Sequence, residues 1–116
     1  MYLKKRIETE RGMYMYNVNL NTIEIFRLAN MLKHANIPFE FLEDICYNGY
    51  HLHYMVNEEM ICSVICTDIS YGHEKGLLEI YGLLTKEELQ MDCVKGFLTA
   101  QDVFDRIENH WLNLSE

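Results

Sequence analysis

The centre of the chain reads Tyr50-His-Leu-His-Tyr-Met-Val56, then Asn57-Glu-Glu-Met60, then Ile61-Cys-Ser-Val-Ile-Cys-Thr-Asp-Ile69. Both long runs alternate, so each predicts a β-strand with two distinct faces. The short polar stretch between them predicts a tight antiparallel connection. A four-residue loop at 57–60 would pair Val56 with Ile61, Leu52 with Ile65 and Tyr50 with Thr67. That register collects the branched aliphatic side chains on one face, as a sheet covered by helices requires.

Two further strands and one helix are predicted around this pair. Phe39–Leu42 is short and aromatic, and Leu77–Leu84 is apolar nearly throughout. Upstream, Asn21 is a good N-cap and Glu24 stands where it can close a capping box. The apolar stripe of this first helix is Ile25, Leu28, Ala29, Leu32 and Ala35. Asn36-Ile37-Pro38 ends the helix, because the residue before proline is pushed out of the α region.

The C-terminal part predicts two more helical segments. Thr85-Lys-Glu-Glu88 is a capping-box start for a short turn that reaches about Asp92. Val94–Leu98 then acts as a bridge. The last helix starts at Thr99, with the carboxylate of Asp102 in its first turn. Its apolar face is Val103, Phe104, Ile107, Trp111 and Leu114.

The predicted fold class is therefore α+β, in the order α-β-β-β-β-α-α. It is an antiparallel four-stranded meander with an N-terminal and a C-terminal helix packed on one face. Residues 1–20 are predicted to be an N-terminal appendage or, through Met13–Leu20, an edge strand. Residues 21–116 are predicted to form a single α+β domain.

Composition narrows the function classes. The chain has 116 residues, 49% of them hydrophobic, which is enough for one core. Ten basic against eighteen acidic side chains give a formal charge of −8. A chain with this negative charge repels the phosphate backbone of nucleic acids, so general nucleic-acid binding is not expected. No apolar run is long enough to span a membrane and no secretory signal precedes the domain, so a cytoplasmic location is expected.

The predicted register has a chemical consequence on the other sheet face. It would place His51 opposite Cys66 and Met55 opposite Cys62, with His53 between them. Imidazoles and thiolates are the ligand types that zinc prefers, so His51, His53, Cys62 and Cys66 are weak candidates for a metal site. The alternative is a mixed sheet face covered by residues 1–20 or by a second subunit. There is no C-x-x-C motif, so free, mostly buried thiols are expected and no cofactor is predicted.

Acidic and tyrosine side chains supply the other candidate site. Glu79 lies inside an apolar run, where a structural hydrogen bond is expected to satisfy it. The remaining carboxylates fall on loops and exposed helix faces, which favours solvated surface over acid–base catalysis. Exposed tyrosines beside acids suit a protein interface, although a core rim with wet hydroxyl groups is an equal alternative. The candidate interaction residues are Tyr71, His73, Glu79, Glu87, Glu88 and Asp92.

Three segments resemble a set of short proteins from phages and prophages of Gram-positive bacteria. They are Ala35-Asn-Ile-Pro-Phe-Glu40, Ser70-Tyr-Gly-His-Glu-Lys-Gly-Leu-Leu-Glu-Ile-Tyr-Gly-Leu-Leu-Thr85 and Val94-Lys-Gly-Phe-Leu-Thr-Ala-Gln-Asp-Val-Phe-Asp-Arg-Ile107. The resemblance covers roughly residues 20–111. That group has no assigned activity, so the resemblance implies no catalytic residues. It implies the context of a small accessory protein of a mobile element in a bacterial host cell.

Two function hypotheses follow. The first is a small non-catalytic phage or prophage accessory protein that binds an unknown protein partner through an acidic, tyrosine-rich surface. The second is a small metal- or ligand-binding protein, with enzymatic activity left open, that uses the His/Cys sheet face or a site around Tyr71, His73 and Glu79. Either hypothesis is compatible with a homodimer, since one sheet face needs a cover.

Overall fold

One antiparallel meander organises the fold, which a computed structural model describes for residues 3–6 and 20–114. These residues form six strands and three helices. The strands are β1 (Leu3–Arg6), β2 (Glu40–Asp44), β3 (Gly49–Val56), β4 (Glu59–Cys66), β5 (Leu78–Tyr81) and β6 (Val94–Leu98). The helices are α1 (Ile23–His34), α2 (Lys86–Met91) and α3 (Ala100–Asn113). The strands lie side by side in chain order, and every neighbouring pair is antiparallel.

The α+β class and the meander are confirmed, but the prediction of four strands is wrong. Val94–Leu98, which was predicted to be a bridge, forms the strand β6. β1 pairs with the outer edge of β2, as Arg6 lies opposite Leu42. The edge strand predicted at Met13–Leu20 lies outside the described residues except for Leu20, which begins a 3-10 turn.

Helix α3 begins as predicted. The Thr99 side chain accepts a hydrogen bond from the backbone N–H of Asp102, and the Asp102 carboxylate accepts one from that of Thr99. The same capping box joins Thr85 and Glu88 at the start of α2. Both boxes form because their partners are three residues apart, within reach of local backbone geometry.

The start of α1 was predicted wrongly. Its N-cap is Thr22, and no capping box forms. The Glu24 carboxylate instead accepts a hydrogen bond from the backbone N–H of Ala100, at 2.7 Å, and one from Arg27. An acid from α1 therefore satisfies a backbone donor at the N-terminus of α3, where negative charge is favoured. The predicted end of α1 is correct, and Asn36 has a left-handed φ of 59°.

The core lies between the sheet and the two long helices, α1 and α3. Ile25, Leu28 and Leu32 of α1 and Val103 and Ile107 of α3 are fully buried. The sheet contributes the buried side chains Phe41, Leu52, Tyr54, Cys62, Val64, Cys66, Leu78 and Ile80. Every second residue of β3, β4 and β5 thus faces the helices.

The β3–β4 pair differs by one residue from the predicted register. Tyr50 pairs with Cys66, Leu52 with Val64 and Tyr54 with Cys62. The predicted pairs Tyr50–Thr67, Leu52–Ile65 and Val56–Ile61 are therefore wrong. Cys62, Val64 and Cys66 take the helix-facing positions that were assigned to the isoleucines, because free thiols pack as small apolar groups.

Two local features cause this difference. The strands are joined by only Asn57 and Glu58, whose φ values are 52° and 68°. Positive φ at both central residues is the requirement of a type I′ hairpin, so the loop is two residues long instead of four. The register then shifts once between Tyr54 and Met55, as at a β-bulge.

Among the described residues, no helix is long and apolar enough to cross a membrane.

Candidate interaction surface

The histidines and cysteines of the predicted metal site lie on opposite faces of the sheet. His51 is opposite Ile65 and His53 is opposite Ser63. Cys62 and Cys66 point toward the helices, where both are buried. In the part of the chain that the structure describes, no group of three or more histidine, cysteine or acidic side chains could hold a metal ion. The predicted His/Cys arrangement therefore does not form.

The two buried thiols are poor nucleophiles. Burial raises the pKa of Cys62 to about 12 and that of Cys66 to about 11. The Cys66 thiol donates to the backbone carbonyl of Asn21 at 3.1 Å. Since the thiolate is the reactive form, these side chains serve packing. Cys46 and Cys93 are exposed, and all four cysteines are free.

His51 instead forms a buried polar pair with Asp44. Nε2 of His51 lies 2.8 Å from Oδ2 of Asp44, and Oδ1 accepts the backbone N–H of Tyr47 at 3.1 Å. Both carboxylate oxygens are thus used to hold the β2–β3 connection. Burial lowers the pKa of the neighbouring His53, a positive charge on His51 lowers it further, and Glu40 acts in the opposite direction. This cluster is a structural joint of the sheet.

A second, partly buried hydrogen bond links the sheet to α3. The Tyr54 hydroxyl lies 2.8 Å from Nδ1 of His110, and the two rings meet edge to face with centroids 5.5 Å apart. Burial raises the pKa of Tyr54. Sequence reasoning missed this pair because 56 positions separate its members.

Glu79 makes the structural hydrogen bond that was predicted for it. Its Oε1 accepts the backbone N–H of Tyr71 at 2.9 Å. His73, from the same loop, uses Nδ1 to donate to the carbonyl of Ser70 at 2.7 Å. Glu79 and His73 therefore shape the β4–β5 connection, and Tyr71 is left with its side chain 54% exposed.

The three predicted interaction acids on α2 and at its C-cap have different roles. Glu87 and Asp92 are exposed on α2 and at its C-cap. Glu88 instead binds Arg106 of α3, with Oε1 2.8 Å from Nη1 and Oε2 2.7 Å from Nη2. The hydrogen bonds from Arg106 and from the backbone of Thr85 lower the pKa of Glu88 to about 2. Glu88 is thus a joint between two helices, and only Glu87 and Asp92 are available to a partner.

Three exposed aromatic side chains lie on β5 (Tyr81), on β6 (Phe97) and in the loop that precedes β5 (Tyr71), and we call them the aromatic patch. Tyr81 and Phe97 are 61% and 55% exposed. Tyr81 lies on the same face of β5 as Glu79, two residues along, away from the helices. Sequence reasoning selected Tyr71 but missed the other two members. No local pattern marks Phe97, because its exposure depends on the pairing of β6.

The backbone holds the patch in place. A Cβ at Gly96 would lie 2.3 Å from Cβ of Tyr71, so only glycine allows this approach. The carbonyl of Tyr71 accepts the backbone N–H of Phe97 at 3.4 Å. Phe97 itself has φ 61°, a left-handed conformation that is rare for a bulky side chain. Two exposed aromatic rings are therefore presented from a closely packed and strained backbone.

Helix α2, which carries Glu87, packs against β6, which carries Phe97. Comparison of this chain with protein-family models, with curated proteins and with solved structures finds no match.

Proposed function

We propose that this chain is a small non-catalytic protein that acts by binding another protein through the aromatic patch and the acids beside it. The observation that carries the proposal is the exposure of Phe97 in a left-handed conformation. Strained residues persist where the surrounding structure holds them, and they concentrate at functional sites. Aromatic side chains dominate the energetics of protein interfaces.

Charge supports the same proposal. With a net charge of −8, the chain is attracted to a basic partner surface, which raises the encounter rate and helps to select the partner. Glu87 and Asp92 are the acids that remain available on the predicted surface. The resemblance of three segments to phage and prophage proteins favours an accessory role in the cytoplasm of a Gram-positive host.

The metal-binding alternative gains no support from the described geometry, because His51 and His53 are separated from Cys62 and Cys66 by the sheet. A catalytic variant of that alternative would also need a reactive thiolate, and burial opposes one at both cysteines.

Affinity capture from the lysate of a Gram-positive bacterium tests the proposal. We expect a protein retained by the wild-type chain to be lost with Tyr81→Ser and weakened by the double change Glu87→Lys and Asp92→Lys. Met60→Ser is the matched control, since Met60 is also an exposed large apolar side chain but lies at the β3–β4 hairpin. Capture that survives Tyr81→Ser, or that Met60→Ser abolishes equally, would show that the patch is the wrong surface.

A further inference from the structure

One carboxylate, that of Glu79, lies among the side chains of the aromatic patch. Its Oε1 accepts the backbone N–H of Tyr71 at 2.9 Å. Within the part of the chain that the structure describes, Oε2 has no hydrogen-bond partner and Glu79 forms no ion pair. Glu79 is also only half-buried. It therefore keeps an acceptor oxygen and a negative charge for a ligand.

The register of the sheet places Phe97 across from this carboxylate. The pairing of β5 with β6 shifts between Leu78 and Ile80, where β6 has one extra residue. Gly96 and Phe97 therefore lie opposite the single residue Glu79, as at a β-bulge. Because Leu78 and Ile80 are fully buried in the core, Glu79 points to the opposite face of the sheet.

The other two rings are fixed relative to the same carboxylate. The backbone N–H of Tyr71 donates to Glu79, and its carbonyl accepts the N–H of Phe97. Tyr81 is on the same face of β5 as Glu79, roughly 7 Å along the strand. None of the three rings of the patch stacks on another aromatic ring among the described residues. Since all three side chains are exposed, their ring faces are open to a ligand.

Charge and rigidity both favour a cation at this position. Lys95, the basic residue of β6, lies opposite Ile80 and not opposite Glu79. The chain as a whole has a net charge of −8, which attracts cations. The close approach of Gly96 to Tyr71 fixes the loop on β6 before a ligand arrives. A site that is already ordered loses less conformational entropy on binding.

We propose that the aromatic patch binds an arginine side chain of the partner protein, with the guanidinium group on the Glu79 carboxylate and against the rings of Tyr81 and Phe97. This inference rests on the proposed function and names the chemistry that the partner presents. A guanidinium group is planar, so it stacks on aromatic faces while its N–H groups donate to a carboxylate. A lysine ammonium group offers the same charge without the flat face.

The test is an NMR titration of the full chain with three short peptides that differ only in their central residue. That residue is arginine, lysine or citrulline, the uncharged analogue of arginine, and glycine and serine flank it. We expect the arginine peptide to shift the amide resonances of residues 71, 79–81 and 96–97. Its own side-chain methylene protons should move upfield over the rings. It should bind about tenfold more tightly than the citrulline peptide and about threefold more tightly than the lysine peptide.

Variants assign the effect to Glu79 and to the rings. Glu79→Gln keeps an acceptor for the Tyr71 N–H but removes the charge, so it should weaken binding of the arginine peptide about fivefold. Glu87→Gln is the matched control, because it removes an equal charge from an exposed position of α2, and it should leave the affinity unchanged. Phe97→Leu keeps an apolar side chain but removes the ring, so it should weaken binding about threefold. It also serves as the second variant if Glu79→Gln fails to fold, as judged by its thermal melt.

Two results would overturn the proposal. Equal affinity for the arginine and lysine peptides, or shifts spread over the whole acidic surface, would show general charge attraction. An equal loss of affinity in Glu79→Gln and Glu87→Gln would show that Glu79 is not the ligand.

The proposed function can fail separately. If Tyr81→Ser still removes partner capture, either of these two results rejects arginine recognition and leaves the proposed function standing. Capture that survives Tyr81→Ser, with the arginine peptide bound at the patch of the wild-type chain, would reject the proposed function while the arginine site stands.

Discussion

Phe97 combines a strained backbone conformation with an exposed side chain. At φ 61° its Cβ crowds the following carbonyl oxygen, which costs roughly 1–2 kcal/mol for an L-residue. Phe97 is 55% exposed, so burial of its ring offsets little of this strain energy. A residue that only had to complete β6 would be glycine or asparagine at this position.

Replacement of Phe97 by glycine should therefore stabilise the fold while it damages the binding surface. We expect Phe97→Gly to raise the free energy of unfolding by about 0.5–1 kcal/mol, because glycine adopts this φ without strain. The gain is smaller than the full strain energy, because glycine also gives the unfolded chain more conformational entropy. Urea denaturation measures the change. Partner capture should fall in the same variant. A less stable Phe97→Gly protein would show that the ring packs against the fold more than its exposure indicates.

The four cysteines should separate into two reactivity classes. Cys46 and Cys93 are exposed, whereas burial raises the pKa of Cys62 to about 12 and that of Cys66 to about 11. We expect a thiol reagent at pH 8 to label Cys46 and Cys93 rapidly, and the other two only after unfolding. Peptide mapping of the labelled protein checks this. Rapid labelling of Cys66 in the folded chain would contradict its assigned position.

At the scale of elements, the joint between α2 and α3 depends on the charge of Glu88. Its pKa lies at about 2, below the ordinary value of 4.5, because the Arg106 hydrogen bonds favour the ionised form. The stabilisation from this group is thus complete above pH 4.5 and is lost as the pH falls toward 2. This ion pair links α2, which is only six residues long, to α3.

Glu88→Gln should reveal that dependence. Glutamine can still close the capping box, so the change removes the ion pair alone. We expect a loss of about 1–3 kcal/mol at pH 7 that shrinks between pH 4.5 and pH 2. Chemical denaturation at a series of pH values measures it, with Glu87→Gln on the same helix as the control. A loss that is independent of pH would exclude the ion pair as its source.

The elements that could be predicted from sequence are those specified by neighbours in the chain. The capping boxes at Thr85 and Thr99 were predicted correctly because each uses a partner three residues away. Glu24 has the same spacing from Asn21, yet its carboxylate goes to Ala100 of α3. Nothing local distinguishes these cases, because the competing donor is brought close only by tertiary packing.

The candidate site likewise has one part that could be predicted from the sequence and one that could not. The hydrogen bond expected for Glu79 was predictable, because an acid within an apolar run needs a partner. The zinc arrangement was wrong because a one-residue difference in register moves a side chain to a different partner. That difference arose from two features that no glycine marks, the positive φ values of Asn57 and Glu58 and the bulge between Tyr54 and Met55.

At the scale of the whole molecule, the separation of imidazoles and thiols by the sheet has a measurable consequence. We expect native mass spectrometry of the untagged protein to give the mass of the bare chain, or of a bare multiple, after purification in the presence of zinc. His51→Ala should leave that mass pattern unchanged apart from the substitution itself. One stoichiometric zinc per chain that His51→Ala removes would restore the metal-binding hypothesis.

The hydrogen bond from Ala100 to Glu24 also bears on synthesis. It joins residues 76 positions apart, and α3 is the last element that the structure describes. On the ribosome, α1 therefore emerges long before the helix whose first turn it completes. Complete folding therefore includes a closure over 76 positions that cannot form before α3 is synthesised, and such long-range closures slow folding.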